Sequence, residues 1–250
     1  MTDLPKNRFK AALAAMQLQR GLWCQIQDPL AVEMLAGEGF DWMLFDTEHS
    51  PMDALTVLPL LQAVAPYPVS AIVRPGSLNV AEIKKILDTG AQTILVPMVQ
   101  NAEEAALAVA SVTYPPEGIR GVAGATRAAG FGRIKGYHRR ASEEICLLVQ
   151  VETREALDHI EAIAAVPGVD GIFVGPADLA ASLGHPGEAT HPDVRAAVVD
   201  AIRRIRAAGK PPGILTMDPV LFEAAVEAGA VFVSRDLDLL ALRKGLSTGT

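Results

Sequence analysis

The stretch CLLVQVETREALDHIEAIAAVPGVDGIFVGP, residues 146–176, carries the reading from which the fold follows. An apolar run, CLLVQVE (146–152), leads into an Ala-, Glu- and Leu-rich stretch at 153–164. A Pro-Gly break and a second apolar run, GIFVGP (171–176), close the unit. This is a strand–helix–strand pattern. Its strands are apolar without interruption, as strands covered on both faces by helices must be. The unit recurs in both directions along the chain. Toward the N-terminus lie GLWCQIQ (21–27), DWMLFDTE (41–48), SAIVRP (70–75) and TILVPMV (93–99), and toward the C-terminus PGILT (212–216) and VFVSRD (231–236). Helix candidates fill the gaps near 29–37, 53–64, 79–88, 102–112, 192–208 and 218–228, and Gly, Pro, Asn or Asp marks the run ends.

Eight strands alternating with helices over 250 residues predict a (β/α)8 TIM barrel, a single domain over residues 1–250. An amphipathic N-terminal helix and an apolar C-terminal segment, LDLLALRKGLSTGT (237–250), flank it. The main rival is an open doubly wound sheet, and no G-x-G-x-x-G follows the first strand to support its dinucleotide-binding form. The Gly- and Arg-rich segment 113–145 reads as a functional loop or lid.

Composition narrows the function. A net charge of −7, no basic block and few aromatics make nucleic acid an unexpected partner. Cys24 and Cys146 sit in apolar runs without partners at metal-ligand spacing, so buried reduced thiols are expected. The absence of a signal-peptide core and of any membrane-length apolar run leads to the expectation of a soluble, reducing, cytoplasmic setting.

In such a barrel the chemistry gathers at the C-terminal strand ends. Those ends carry Asp46, Glu48 and His49, then Arg74, then Gln150 and Glu152, then Gly175, Pro176, Ala177 and Asp178, then Arg235 and Asp236. Side chains alternate along a strand, so Gln150 and Glu152 share a face, as do Asp46 and Glu48. Glu152 and Asp178, on neighbouring strands, suit one hard divalent cation such as Mg²⁺ or Mn²⁺. Alternatively Glu152 caps the helix starting at Thr153, and Asp178 caps the one after Pro176. His49 is the candidate base, with Asp46 as the nearest candidate partner. Arg74 can hold a carboxylate or enolate oxygen, or form an ion pair across the mouth. None of the seven lysines ends a strand, which argues against Schiff-base chemistry. No H-E-x-x-H, P-loop or G-x-S-x-G is present.

The blocks FDTEHSP, VRP, ILDTGAQTILVPMVQ, YPPEGIRGV, LVQVET, GVDGIFVGPADLAASLG and HPDV resemble the metal-dependent (class II) pyruvate aldolases of the HpcH/HpaI family, over nearly the whole chain. These cleave 4-hydroxy-2-oxoheptane-1,7-dioate or 2-dehydro-3-deoxyglucarate. The resemblance implies aldol cleavage to pyruvate, or a related 2-oxo acid such as hydroxypyruvate, and an aldehyde. The implied cofactor is Mg²⁺, Mn²⁺ or Co²⁺, held by Glu152 and Asp178. It also implies that Gln150 and the Ala177 N–H hold the 2-oxo acid, beside Gly175 and Pro176, and that Arg74 stabilises the enolate. His49 becomes the base with Asp88 as its acidic partner, and Asp46 orients the aldol hydroxyl. Trp23 and Leu215 form the wall of the aldehyde pocket. Relatives assemble as hexamers through the last helix. VFVSRD departs from the pattern by carrying Arg235 where relatives tend to have glycine. A citrate-lyase-like enzyme acting on a CoA thioester is the alternative, and a non-catalytic binding barrel is the reading from another class.

Overall fold

The computed structural model describes residues 3–247. In chain order its elements are α1 (Arg8–Ala14), β1 (Gln19–Cys24), α2 (Pro29–Ala36), β2 (Trp42–Asp46), α3 (Ala54–Val64), β3 (Ser70–Arg74), α4 (Val80–Asp88), β4 (Thr93–Val96), α5 (Ala102–Val112) and α6 (Tyr137–Glu144). They continue as β5 (Cys146–Val151), α7 (Arg154–Asp158), α8 (Ile160–Ala164), β6 (Gly171–Val174), α9 (Pro176–Ser182), α10 (Pro192–Ala207), β7 (Pro212–Leu215), α11 (Pro219–Ala228), β8 (Phe232–Leu237) and α12 (Asp238–Leu246). The eight strands close into a parallel barrel in sequence order, β1 pairing with both β2 and β8.

Local chemistry starts the helices where the strands end. Asp28, Asp53, Asn79, Asn101, Thr153 and Asp218 each accept a backbone N–H of the helix that follows. Such caps satisfy donors that a helix start leaves unpaired. Proline opens α2, α9, α10 and α11, where its missing N–H costs nothing.

Alternation along the strands sorts the side chains into two cores. Met43, Phe45, Val73, Leu147 and Val149 point out to the helices. Trp42, Leu44, Ile72, Cys146, Leu148, Phe173 and Phe232 fill the barrel interior, where Phe9 and Leu13 of α1 join them. Phe9 meets Trp42 and Phe232 edge-on, at 6.4 and 5.8 Å between ring centroids. Helix α1 therefore plugs the N-terminal end of the barrel and leaves the C-terminal end for polar groups. The widest interior rings rest over glycines. A Cβ on Gly21 would fall on the Trp42 ring, and one on Gly213 on the Phe232 ring.

Several expectations need correction. The helix at 153–164 is broken at His159 into α7 and α8, and His159 Nδ1 lies 3.1 Å from the Gln100 carbonyl oxygen. Segment 113–145 contains a helix, α6, and does not form a lid over the mouth of its own barrel. It packs against the C-terminal end of α4: Arg120 Nη2 donates to Asp88 Oδ1 at 2.9 Å and Arg127 Nη1 to the Thr89 carbonyl at 2.6 Å. Because α4 runs antiparallel to the strands, that end lies at the opposite mouth. Both thiols, Cys24 and Cys146, are buried and unpaired, and burial pushes both well up from their usual values. Residues 248–250 of the C-terminal segment lie outside the described part.

Candidate active site

The inward face of β2 ends in Asp46 and that of the next strand, β3, in Arg74, its neighbour in register. Arg74 donates from Nε to Asp46 Oδ1 at 2.9 Å and from Nη2 to Oδ2 at 2.7 Å, a two-pronged pair closed to solvent. Asp46 also accepts the Trp23 indole N–H at 3.1 Å and the backbone N–H groups of Glu48 and His49 at 3.1 and 3.3 Å. Burial alone would raise the Asp46 carboxyl, but hydrogen bonding and charge from Arg74 outweigh it and hold the group below its usual range. The guanidinium carbon sits 4.8 Å from the Trp23 ring centroid, and Trp23 leans on Phe173 at 5.4 Å. Arg74 is thus a cation fixed on all sides but one. Of its five N–H donors two are bound to Asp46, and Nη1 lies 2.6 Å from Glu48 Oε2.

Across the mouth, β5 ends on the inward pair Gln150 and Glu152, 3 % and 1 % exposed. Glu152 accepts the Met98 N–H at 2.8 Å and a hydrogen bond from Gln150 Nε2. Met98 presents that N–H from a left-handed backbone, φ 56°, a strained conformation for a non-glycine residue of the kind that clusters at functional sites. Gly175, at the end of β6, lets Glu152 lie where it does, because a Cβ there would fall on Glu152 Oε2. Burial, with smaller contributions from the charges of Asp178 and Glu48, pushes Glu152 up to about 7. Thr153, whose hydroxyl accepts the Ala156 N–H at 3.1 Å, caps α7, so Glu152 does not. Asp178 does not cap α9 either: its N-cap is Gly175 and no side chain takes part. Pro176 opens α9 without an N–H to offer, and Ala177 and Asp178 follow it, exposed, in the first turn.

The residues present fit a divalent cation. Glu152, Asp178 and Glu48 bear on one another's charge with no positive group among them except Arg74. Gln150 Oε1 is buried without a hydrogen-bond partner among the described residues. Hard carboxylate oxygens, backed by an amide, suit Mg²⁺ or Mn²⁺. A separate group of possible ligands, His185, His191 and Asp193, gathers its ligand atoms within 4.8 Å of one another. Its imidazoles are stacked 3.6 Å apart and 16° from parallel. Two lone pairs in parallel planes do not converge on one ion.

Within one chain, neither carboxylate anticipated for His49 pairs with its imidazole. Asp46 is committed to Arg74 and Trp23. Asp88 ends α4 at the opposite mouth, paired with Arg120. The carboxylate that does approach is Glu48, its Oε2 3.9 Å from His49 Nε2. The saturated Asp46 leaves little capacity to orient a substrate hydroxyl. Leu215 borders the interior cluster that contains Trp23. Arg235 turns outward, 4.5 Å over the Phe222 ring of α11, so its departure from the family pattern leaves the mouth unaltered. Glu48 was visible in the sequence as a charged neighbour without a task. Nothing there signalled the Met98 N–H, because a backbone donor leaves no mark in residue type.

An arginine locked beside buried carboxylates is the equipment of an enzyme that stabilises negative charge on a carbonyl oxygen. The chain belongs to the HpcH/HpaI aldolase/citrate lyase family, whose model matches residues 19–240. It is an aldolase, a carbon–carbon lyase. It is 56% identical to the hydroxypyruvate/pyruvate aldolase of Sagittula stellata, over 96% of this chain and 95% of that one. It is 52% identical to the 4-hydroxy-2-oxo-heptane-1,7-dioate aldolase of Klebsiella pneumoniae, over 96% and 91%. A crystal structure of a family member from Burkholderia cenocepacia superposes with a TM-score of 0.91 at 38% identity, covering 96% of this chain and 98% of that one.

Proposed function

We propose that this barrel is a divalent-metal-dependent pyruvate aldolase that reversibly cleaves 4-hydroxy-2-oxo acids to pyruvate, or a related 2-oxo acid such as hydroxypyruvate, and an aldehyde. The observation that carries the reading is the pairing, across one mouth, of a fixed Arg74 with the buried carboxylate of Glu152. Glu152 and Asp178 would hold Mg²⁺, Mn²⁺ or Co²⁺. The cation supplies Lewis acidity, polarising the ketone of a bound 2-oxo acid.

The other roles fall to the chain itself. Gln150 and the Ala177 N–H hold the 2-oxo acid carboxylate, the latter from the first turn of α9, where N–H groups have no partner inside the helix. Arg74 donates to the oxygen on which charge develops, and its cost of ordering is already met by Asp46. His49, exposed at the rim, takes the proton of the methyl group, or of the 4-hydroxyl in the cleavage direction. Asp46 orients Arg74. Trp23 and Leu215 bound the aldehyde side. No described helix is long and apolar enough to cross a membrane.

The chain is further proposed to assemble as a homo-oligomer, as a hexamer. The support is α12, which leaves Leu239, Leu242 and Leu246 exposed in one i, i+3, i+7 stripe, while Leu30 and Met34 of α2 are also uncovered. The test of function is pyruvate release from 4-hydroxy-2-oxo acids before and after EDTA. Activity lost with EDTA and restored by Mg²⁺, Mn²⁺ or Co²⁺ is expected. Full activity in EDTA, or an adduct trapped by borohydride with pyruvate, overturns the reading.

A further inference from the structure

The loop that leaves β2 brings a third carboxylate into the mouth, and the roles assigned above do not use it. Glu48 Oε2 lies 2.6 Å from Arg74 Nη1 and 3.9 Å from His49 Nε2. That oxygen is buried, yet the contact with Arg74 lacks the direction of a hydrogen bond. The Glu48 side chain is 15% exposed and that of His49 60%. Among the described residues Glu48 is the one carboxylate within ion-pair reach of both the imidazole and the guanidinium.

We propose that Glu48 is the positioning residue of this site, a carboxylate that spans Arg74 and His49 and sets the base beside the cation that receives the oxyanion. The inference rests on the pyruvate aldolase reading. During enolisation the C–H bond of the methyl group breaks and its proton passes to a His49 ring nitrogen. The bonding pair becomes the carbon–carbon double bond, and the carbonyl π pair moves onto oxygen, beside Arg74. A carboxylate beside the imidazole orients the ring toward the carbon that loses its proton. The same carboxylate holds the free edge of the guanidinium while Asp46 holds the other. Five groups face Glu48 from the surrounding elements: Asp46 from β2, His49 on its own loop, Arg74 from β3, Asp178 from α9 and Glu152 from β5. Burial raises the Glu48 carboxyl, with Arg74 opposing and Asp46 and Asp178 adding to the rise. A carboxylate held at this cost is better explained by a role in the site than by filling space.

Charge and shape make opposite predictions, and two variants separate them. Glu48→Gln keeps the shape and loses the charge; Glu48→Asp keeps the charge and shortens the arm. The probe is exchange of pyruvate methyl protons with D₂O, followed by NMR in the full-length protein saturated with Mn²⁺. Glu48→Gln is expected to slow maximal exchange roughly tenfold, with KM for pyruvate little changed. Glu48→Asp retains more activity than Glu48→Gln. Adding Glu48→Gln to His49→Ala costs less than it does in the wild type, since part of its effect passes through His49. Mn²⁺ affinity, read by EPR without turnover, stays within a few-fold of wild type. The proposal is overturned by Glu48→Gln outperforming Glu48→Asp, by a loss from Glu48→Gln that is as large in His49→Ala as in the wild type, or by a large fall in Mn²⁺ affinity. No exchange in the wild type overturns the pyruvate reading itself; normal wild-type exchange with Glu48→Gln unchanged overturns this inference alone.

Discussion

At the scale of single residues the site is organised by charges that differ in how they are compensated. Asp46 and Arg74 are joined by two hydrogen bonds and buried. Removing one member of such a pair strands the other, so Asp46→Asn is expected to destabilise the fold by about 3 kcal/mol, near the low end for a broken buried pair because Glu48 still touches Arg74. Arg74 holds the Asp46 carboxyl below the usual aspartate range, so its stabilisation is present above that range and is lost as pH falls through the depressed value. Chemical unfolding of both proteins between pH 7 and 3 measures this, and a loss under about 1 kcal/mol would contradict the pairing. Glu152 is the reverse case. Its carboxyl is raised to about 7, so its contribution to the cation-free fold is present below 4.5 and is lost as pH rises through 7. A cation should therefore raise the melting temperature more at pH 8 than at pH 6, and Glu152→Gln should abolish that difference. Equal shifts at both pH values would argue against Glu152 as a ligand. His49→Ala is expected to lower kcat by roughly 10²–10⁴-fold, as for positioned acid–base groups. Its melting temperature should not move, because the side chain is 60% exposed.

At the scale of elements, two glycines divide barrel packing from site geometry. Gly213 on β7 supports the Phe232 ring, and Gly175 at the end of β6 supports Glu152. Gly213→Ala overpacks the interior, at a cost of about 1–3 kcal/mol, without touching the mouth. Gly175→Ala pushes on a carboxylate instead. It is expected to weaken Mn²⁺ binding more than it weakens the fold, whereas Gly213→Ala should do the opposite. Titration of Mn²⁺ by EPR alongside thermal melts of both variants checks the contrast. The two changes affecting both properties alike would show that β6 and β7 are not separable in this way.

For the whole molecule the question is what covers α12. Its own barrel takes up only part of it, and Leu239, Leu242 and Leu246 remain outside. Its first residue, Asp238, is buried and accepts the Gln25 and Ile26 N–H groups at 2.9 and 2.8 Å, so a truncation after Asp236 would remove a structural anchor together with the apolar stripe. Leu242→Glu with Leu246→Glu tests assembly without that damage. Light scattering is expected to show a hexamer for the parent and a smaller species for the double variant, with an unchanged melt at low protein concentration. A monomeric parent, or a variant of unaltered mass, would rule out α12 as the organiser.

The period of apolar runs and the residues at their ends were enough to place eight strands, Arg74 at the end of one, and Gln150 and Glu152 on one shared face, because alternation along a strand is a local rule. Closure into a ring, the plug made by Phe9 and Leu13, and the break at His159 depend on what packs against each element, which no local rule contains. The pairing of charges was the least legible part. Asp46 and Glu48 are alike in sequence as acidic groups near a candidate base, and Asp88 joined them only through the resemblance. Only the tertiary structure commits Asp46 to Arg74, carries Asp88 to the far mouth on α4 and leaves Glu48 beside His49. Ion pairs are chosen by distance and burial in space, and both are set by the closed barrel as a whole.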